Sequence, residues 1–420
     1  MTHQRLKREL GLGGAIVVGL GSILGTGAFV SIGLASAQWR DAVLVAIPLA
    51  GTLAVFNGLS SAYLAGRFPV AGGTYEFAYE TVGPALGFTA GWLFLLAKTA
   101  SAASAALGIA EYLGWGDSRA VAVTATVAVT VLVITGLRRS AAVNVILVTI
   151  TVIALAVFAI AGIAAADGTA VTVLGDGTGL MAGSILPTVA FLFVAYTGYG
   201  RVATLGEEVE EPAHTIPRAV IVTLVAAGIL YLGVELGGRA LGGPNWGFIL
   251  GFESWTPASL LENPYRSIVT VGAVTAMAGV LLNLVLGLSR VWLAMGRRGD
   301  MPSSLSLLDG NSQPIRAILL SGTMIALVCL VGDIRLAWSF SGFTVLLYYG
   351  ITNLAALKTD RRRWTAWAGL ASCALLSFFV TIQVWLVGIG LVLLGLIWQR
   401  QRRNRGGTGF TLPSGPEPSS

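Results

Sequence analysis

The chain has 420 residues, of which 55% are hydrophobic and only 11% charged, and its mean hydropathy is +0.80. Soluble domains carry about 25% charged residues, so the composition excludes a soluble globular protein and describes an all-α polytopic membrane protein. The net charge of +6 calls for no nucleic-acid partner, because the basic residues sort to one side of a bilayer.

In chain order, a polar, basic opening (Met1 to Leu10) leads directly into span 1, Leu12 to Ala37, with no cleavage site of a signal peptide. Span 2 runs from about Val43 to Ala65. A polar, aromatic stretch follows, Arg67-Phe-Pro-Val-Ala-Gly-Gly-Thr-Tyr-Glu-Phe-Ala-Tyr-Glu80. Spans 3 (Leu86–Leu113), 4 (Ala120–Leu137) and 5 (Ala141–Ala166) come next, then span 6 at about Leu180–Leu205 and an acidic loop with Glu207, Glu208, Glu210 and Glu211. Spans 7 (Ala219–Leu241), 8 (Ile268–Met295), 9 (Ala317–Val331) and 10 (Leu336–Leu357) complete the middle of the chain. The uncharged run Trp364 to Gln399 would make one helix of about 54 Å, too long for a ~30 Å hydrocarbon core. It reads as a tight hairpin of two spans, about twelve transmembrane helices in all. Residues 406–420 are Gly-, Pro- and Ser-rich and read as a disordered tail.

Charge fixes the orientation. With both termini cytoplasmic, the opposite loops hold only Arg40, Arg119, Arg239, Arg266 and Arg335 of the 26 Lys and Arg, as the positive-inside rule requires. Glu111 and Glu235 then read as interfacial or loop-directed, and the glutamates after span 6 as partners of Arg297 and Arg298. Cys329 and Cys373 lie in apolar runs and read as buried thiols. No nucleophile–base pair or metal-ligand cluster sits in the spans, so no enzyme, metal or cofactor is expected.

Two spans are interrupted. Gly19-Leu-Gly-Ser-Ile-Leu-Gly-Thr-Gly-Ala-Phe29 is too rich in glycine for a continuous helix, since each interior glycine costs about 1 kcal/mol relative to alanine. A break at Gly25-Thr26-Gly27 frees backbone groups that lipid cannot satisfy, and it is tolerated only against protein, ligand or water. The amides and positive dipole of the second half suit a carboxylate; the carbonyls of the first half suit an ammonium group. Gly21-x-x-x-Gly25 also fits a helix-packing motif. A dinucleotide fingerprint is excluded, because no strand precedes the glycines. Span 6 is interrupted at Tyr196-Thr-Gly-Tyr-Gly200. The two interrupted spans open successive groups of five, which places the second group in the opposite orientation and predicts a midplane binding site.

Four motifs resemble those of the amino acid–polyamine–organocation transporters: the span-1 glycine motif, Phe68-Pro-Val-Ala-Gly-Gly-Thr-Tyr75, Phe193-Val-Ala-Tyr-Thr-Gly-Tyr199 with Glu207-Glu208 and Pro217-Arg218, and Ser289-Arg290 through Met301-Pro302. The resemblance implies a five-plus-five inverted-repeat (LeuT-like) fold in one transporter domain, residues 1–405, with repeats at about 10–166 and 180–357 and two further helices at 364–399. It implies alternating-access transport of amino acids across the cell membrane. By analogy the substrate carboxylate meets Ser22 to Gly27, nearest the amides of Gly25, Thr26 and Gly27. Its ammonium meets carbonyls around Ile23, Val194, Ala195 and Thr197. Tyr196 or Tyr199 serves as an aromatic gate or as packing.

The chain departs from the family pattern in two ways. An acidic residue that many relatives carry after the span-6 glycine is Gly200 here, followed by Arg201, which points to neutral or small amino acids rather than cationic ones or polyamines. A span-5 lysine found in some proton-coupled relatives is Thr151. Instead Lys98, one of three lysines in the chain, lies inside span 3, where an unpaired charge costs at least ~2.5–3.5 kcal/mol. It is expected either to face the cavity, replacing a cation or titrating in proton-coupled symport or exchange, or to snorkel to the interface. A cationic amino acid or polyamine transporter, sodium coupling, for which Ser289 is a candidate ligand, and a non-transporting sensor are the alternatives.

Overall fold

The computed structural model describes residues 10–68, 73–136, 141–165, 183–203, 209–243, 246, 256–310 and 312–404. The turn Arg138–Arg139, Glu207 and Glu208, residues 69–72 of the second motif and the tail at 406–420 lie outside the described residues. The described regular structure is helical apart from one parallel bridge, Leu10 to Val209.

The helices follow the apolar runs: α1 (Leu12–Ile23), a π turn over Gly27–Ser31, α2 (Ile32–Trp39), α3 (Ala42–Arg67), a short α4 (Thr74–Thr81), α5 (Pro84–Leu113), α6 (Ser118–Ile134) and α7 (Ala141–Ala165). The second group comprises α8 (Ile185–Tyr196), a 3₁₀ turn over Thr197–Tyr199, α9 (Gly200–Ala203), α10 (Pro212–Gly242), α11 (Tyr265–Arg298), α12 (Ile315–Val331) and α13 (Ile334–Thr359). The hairpin is α14 (Trp364–Ser377) and α15 (Ile382–Asn404). Each of the twelve expected segments falls on helix. Eight described helical stretches are long and apolar enough to cross a membrane alone, and the bent α1–α2 pair makes a ninth.

Local chemistry sets the ends. Pro84 opens α5, where its missing N–H costs nothing, and Gly114 closes it in the left-handed region at φ 62°. Asp333 caps α13 by accepting from the Leu336 amide at 2.6 Å.

The helix pairing follows an internal two-fold relation. The third span (α5) packs on the tenth (α13) as the eighth (α11) packs on the fifth (α7); the second packs on the sixth as the seventh packs on the first; and the third packs on the fourth as the eighth packs on the ninth. Short polar bonds join neighbouring helices. Asn353 donates to Asn57 Oδ1 at 2.7 Å, Ser101 and Ser341 share a 2.7 Å bond, and Trp92 donates to the Leu391 carbonyl at 2.8 Å. Both cysteines are free and buried.

One charged cluster is enclosed by protein. Arg239, counted with a loop from the sequence, is in the last turn of α10, and Glu235, expected to be interfacial or loop-directed, bonds Trp246 beyond the end of that helix. Both sit inside α10, and Arg239, Glu235 and Asp41 are 1%, 0% and 2% exposed. Arg239 donates to Glu235 Oε1 (2.7 Å), Asp41 Oδ1 (2.7 Å) and the Arg40 carbonyl (2.9 Å), while Trp246 Nε1 donates to Glu235 Oε2 at 3.1 Å. The flat sequence shows an arginine four residues after a glutamate; only the fold brings Asp41 to it, across 198 residues. Removing one partner strands buried charge, which typically costs about 3–5 kcal/mol. Arg239→Ala is therefore expected to lower the unfolding temperature of the detergent-purified protein sharply, while an Arg119→Ala change at the exposed start of α6 leaves it nearly unchanged.

Candidate functional site

The first break differs in detail from a bare glycine gap. After Ile23, Leu24 turns to an extended conformation (φ −79°, ψ 102°), and the chain resumes as helix at a bend of 42°. The amides that open the second half have no preceding turn to accept them. The second break is milder: Tyr196 ends α8 and the chain tightens into a single 3₁₀ turn.

The two breaks touch. Gly198 lies so close to the carbonyl of Ser22 that a Cβ there would collide with it, and a Cβ on Gly27 would come within 2.9 Å of the Ala195 side chain. Glycine at these positions lets the two interrupted spans meet backbone to backbone.

Tyrosine hydroxyls from neighbouring helices satisfy the carbonyls that the breaks release. Tyr231 of α10 shares its proton between the Ile23 carbonyl (3.1 Å) and the Ala195 carbonyl (2.8 Å), joining both breaks. Tyr349 of α13 donates to the Thr197 carbonyl at 3.1 Å, and Tyr112 of α5 donates to the Phe29 carbonyl at 2.8 Å. The Thr197 hydroxyl donates to the Val194 carbonyl at 2.9 Å. The Val194 and Thr197 carbonyls each accept a backbone N–H as well, from Thr197 and Gly200.

A cavity of about 610 Å³ lies below this junction, within the usual range for small-molecule sites. Ser22, Ile23, Thr26, Gly27, Val194, Ala195 and Thr197 all line it. Gly25 does not; it backs onto Val280 of α11. The Thr26 hydroxyl is buried and has no partner. Tyr196 and Tyr199 are fully buried outside the lining, Tyr196 donating to the Ile47 carbonyl at 3.0 Å and Tyr199 packed on Tyr349. Tyr348, Tyr349 and Trp338 supply the aromatic wall instead. Ser289 turns back on its own helix, donating to the Leu286 carbonyl at 2.9 Å.

The cavity reaches the face at which α3, α9 and α11 end, hereafter the basic face, where Arg201, Arg290 and Arg297 are exposed and line its mouth. Past the break the protein is closed. Phe29 is buried edge-on against Tyr112, and Trp338 donates to the Phe191 carbonyl at 2.9 Å. Lys98 faces the cavity and has no hydrogen-bond or ion-pair partner among the described residues.

At the basic face α4 is clamped to the end of α11. Arg298 pairs with Glu76 and lies 4.1 Å over the Tyr79 ring, while Tyr75 donates to Asp300 at 2.8 Å. Glu207 and Glu208, expected with Glu210 and Glu211 to pair with Arg297 and Arg298, lie outside the described residues. Burial pushes the Glu76 carboxyl above its ordinary range, and the nearby Arg298 opposes that shift.

The family model for amino acid permeases matches residues 14–407. The chain belongs to the amino acid permease family. It is similar to an uncharacterised transporter of Mycobacterium tuberculosis, 35% identical over 93% of this chain and 90% of that protein. It is also similar to two proteins of Bacillus subtilis. One is a branched-chain amino acid permease, 29% identical over 78% of this chain and 75% of the permease. The other is a serine/threonine exchanger, 26% identical over 85% of this chain and 84% of the exchanger. Membership in this family makes the protein a multi-pass membrane transporter rather than an enzyme.

The residues that sequence reasoning missed are Tyr231, Tyr349, Asn283 and Ser101. Asn283 alone carried a signal, as an amide within an apolar span. The close approach at Gly198 makes a direct prediction. Gly198→Ala should abolish substrate transport in proteoliposomes, because Ser22 is backbone and cannot yield, whereas Gly390→Ala in α15, with open space around it, should transport normally.

Proposed function

We propose that the protein is a secondary-active amino acid transporter of the cell membrane, working by alternating access with both termini in the cytoplasm. The observation that carries the reading is the meeting of two interrupted spans at the closed end of a cavity open to one face. A substrate carboxylate would lie against the amides of Thr26 and Gly27 and the free Thr26 hydroxyl, where helix-opening N–H groups and the helix dipole favour negative charge. Its ammonium would meet the carbonyls around Ile23, Val194, Ala195 and Thr197, favoured by the negative ends of the first half-helices.

The basic face is the cytoplasmic one on the positive-inside rule, so the cavity represents an inward-open state. The Arg239–Asp41–Glu235 cluster and Tyr112 then lie on the outward side. Amino acids without an additional positive charge fit the cavity best, the neutral and small ones expected from the sequence among them, because no carboxylate occurs in its described lining. Proton coupling is assigned to Lys98, which lines the cavity and has no hydrogen-bond or ion-pair partner among the described residues.

A thermal-shift screen of purified protein against amino acids and polyamines, with and without sodium, tests the reading. An amino acid at 100 times its Kd should stabilise by about 2.7 kcal/mol, equally in sodium and in choline. A sodium-dependent shift rejects proton coupling, and silence from every amino acid rejects the substrate class. Lys98→Ala is expected to flatten the pH dependence of uptake into proteoliposomes; a variant with the parent's rate and pH profile removes Lys98 from the coupling step.

A further inference from the structure

The described lining of the cavity contains four basic side chains, Lys98, Arg201, Arg290 and Arg297, and no aspartate or glutamate. Lys98, Arg290 and Arg297 make no hydrogen bond or ion pair with any described residue; the nearby acids Glu76 and Asp300 are held by Arg298 and by Tyr75 and Tyr79. Arg290 and Arg297 are seven residues apart on α11, two turns along one face, and both face the cavity. Together they form a line of cations from the mouth inward.

Lys98 ends that line close to the breaks. Ser101, one turn further along α5, bonds Ser341 at 2.7 Å. The next residue, Gly342, packs against Val194 of the second break, with only 3.1 Å between a Cβ there and the valine side chain. Lys98 therefore sits one helical turn, on its own helix, from a residue tied to the element that packs on the second break.

Charge balance then becomes informative. The amides and helix dipole of the first break offset an α-carboxylate, and the carbonyls offset an α-ammonium. A neutral amino acid leaves Lys98 without a counter-charge, and a cationic one adds to the excess. A side-chain carboxylate one or two carbons from Cα is placed to reach it. We infer that the substrate is an acidic amino acid, its second carboxylate paired with Lys98 and drawn inward past Arg290 and Arg297. This rests on the amino-acid site proposed above and narrows its substrate class away from the neutral ones.

Isothermal titration of the purified full-length protein with L-glutamate, L-aspartate, L-alanine, L-leucine, L-arginine, putrescine and inorganic phosphate tests the inference. Glutamate or aspartate should bind at least tenfold more tightly than alanine or leucine, weaken as ionic strength rises, and outcompete phosphate. Lys98→Gln should lose at least tenfold in affinity for the acid and change alanine binding little, and Lys98→Arg should retain the preference for acid. Neutral amino acids binding as well as acids would overturn the inference and leave the amino-acid reading standing. Equal weakening of both classes by Lys98→Gln, or phosphate binding as well as glutamate, would likewise overturn it. Silence from every amino acid overturns both.

Discussion

A helix interrupted inside a bilayer has to find partners for the backbone groups that the interruption frees, because the hydrocarbon offers none. Much of the protein's interior is arranged around that requirement. Tyr231 reaches from α10 to one carbonyl of each break, Tyr349 reaches from α13 and Tyr112 from α5. A phenol suits this work: its ring packs as a large apolar body while the hydroxyl supplies one donor at the end of a rigid arm. The consequence is directional. The carbonyls are held by protein donors, but the amides that open the second half-helix of α1–α2 face a cavity, with the unpartnered Thr26 hydroxyl beside them. Unmet hydrogen-bonding capacity at the junction is thus mainly donor capacity, which is what an anionic head group needs.

The two ends of the molecule use charge differently. On the closed side Arg239 is almost entirely enclosed and saturated by Asp41, Glu235 and the Arg40 carbonyl. Such a cluster contributes little net stability compared with an apolar replacement, yet it tolerates no loss of a single member. It fixes α10 against the α2–α3 turn in one arrangement. On the basic side, Arg298 and Glu76 remain partly accessible to water, and the clamp of α4 on α11 is correspondingly easier to undo. The open and closed ends of the cavity therefore differ in how costly their ionic contacts are to break.

The order of the helices and the position of the first break were legible from the sequence because both depend on local patterns: apolar runs of sufficient length, glycines that weaken a helix, and basic turns that orient it. Ser22, Ile23, Thr26, Gly27, Val194, Ala195 and Thr197 were expected by analogy with the resembled transporters, and all of them line the cavity. What was not legible depends on contacts between distant parts of the chain. Nothing near Tyr231 marks it as the partner of a carbonyl 208 residues away. Glu235 and Arg239 read as loop or interfacial charges because a single sequence does not display Asp41 as their third member. The pairing of Arg298 with Glu76, on a helix 222 residues earlier, likewise has no local mark in the sequence.

In the transport cycle proposed above, Lys98 would connect occupancy of the cavity to its closure. In the open arrangement the cavity communicates with the basic face, so water can solvate the ammonium and the cost of an unpaired charge at this depth is largely relieved. Alternating access requires the cavity to shut on that side, and shutting expels the water that carries this relief. An empty cavity with a charged Lys98 then resists closing, whereas one that holds an anion beside the ammonium does not; loss of the proton also removes the resistance. On the proposed reading substrate and proton act on one group, so each would bias the open–closed equilibrium by changing or balancing the charge of Lys98, and such coupling is reciprocal by necessity. A carrier built this way would resist moving with a charged, empty site, and its selectivity and its coupling would follow from a single side chain.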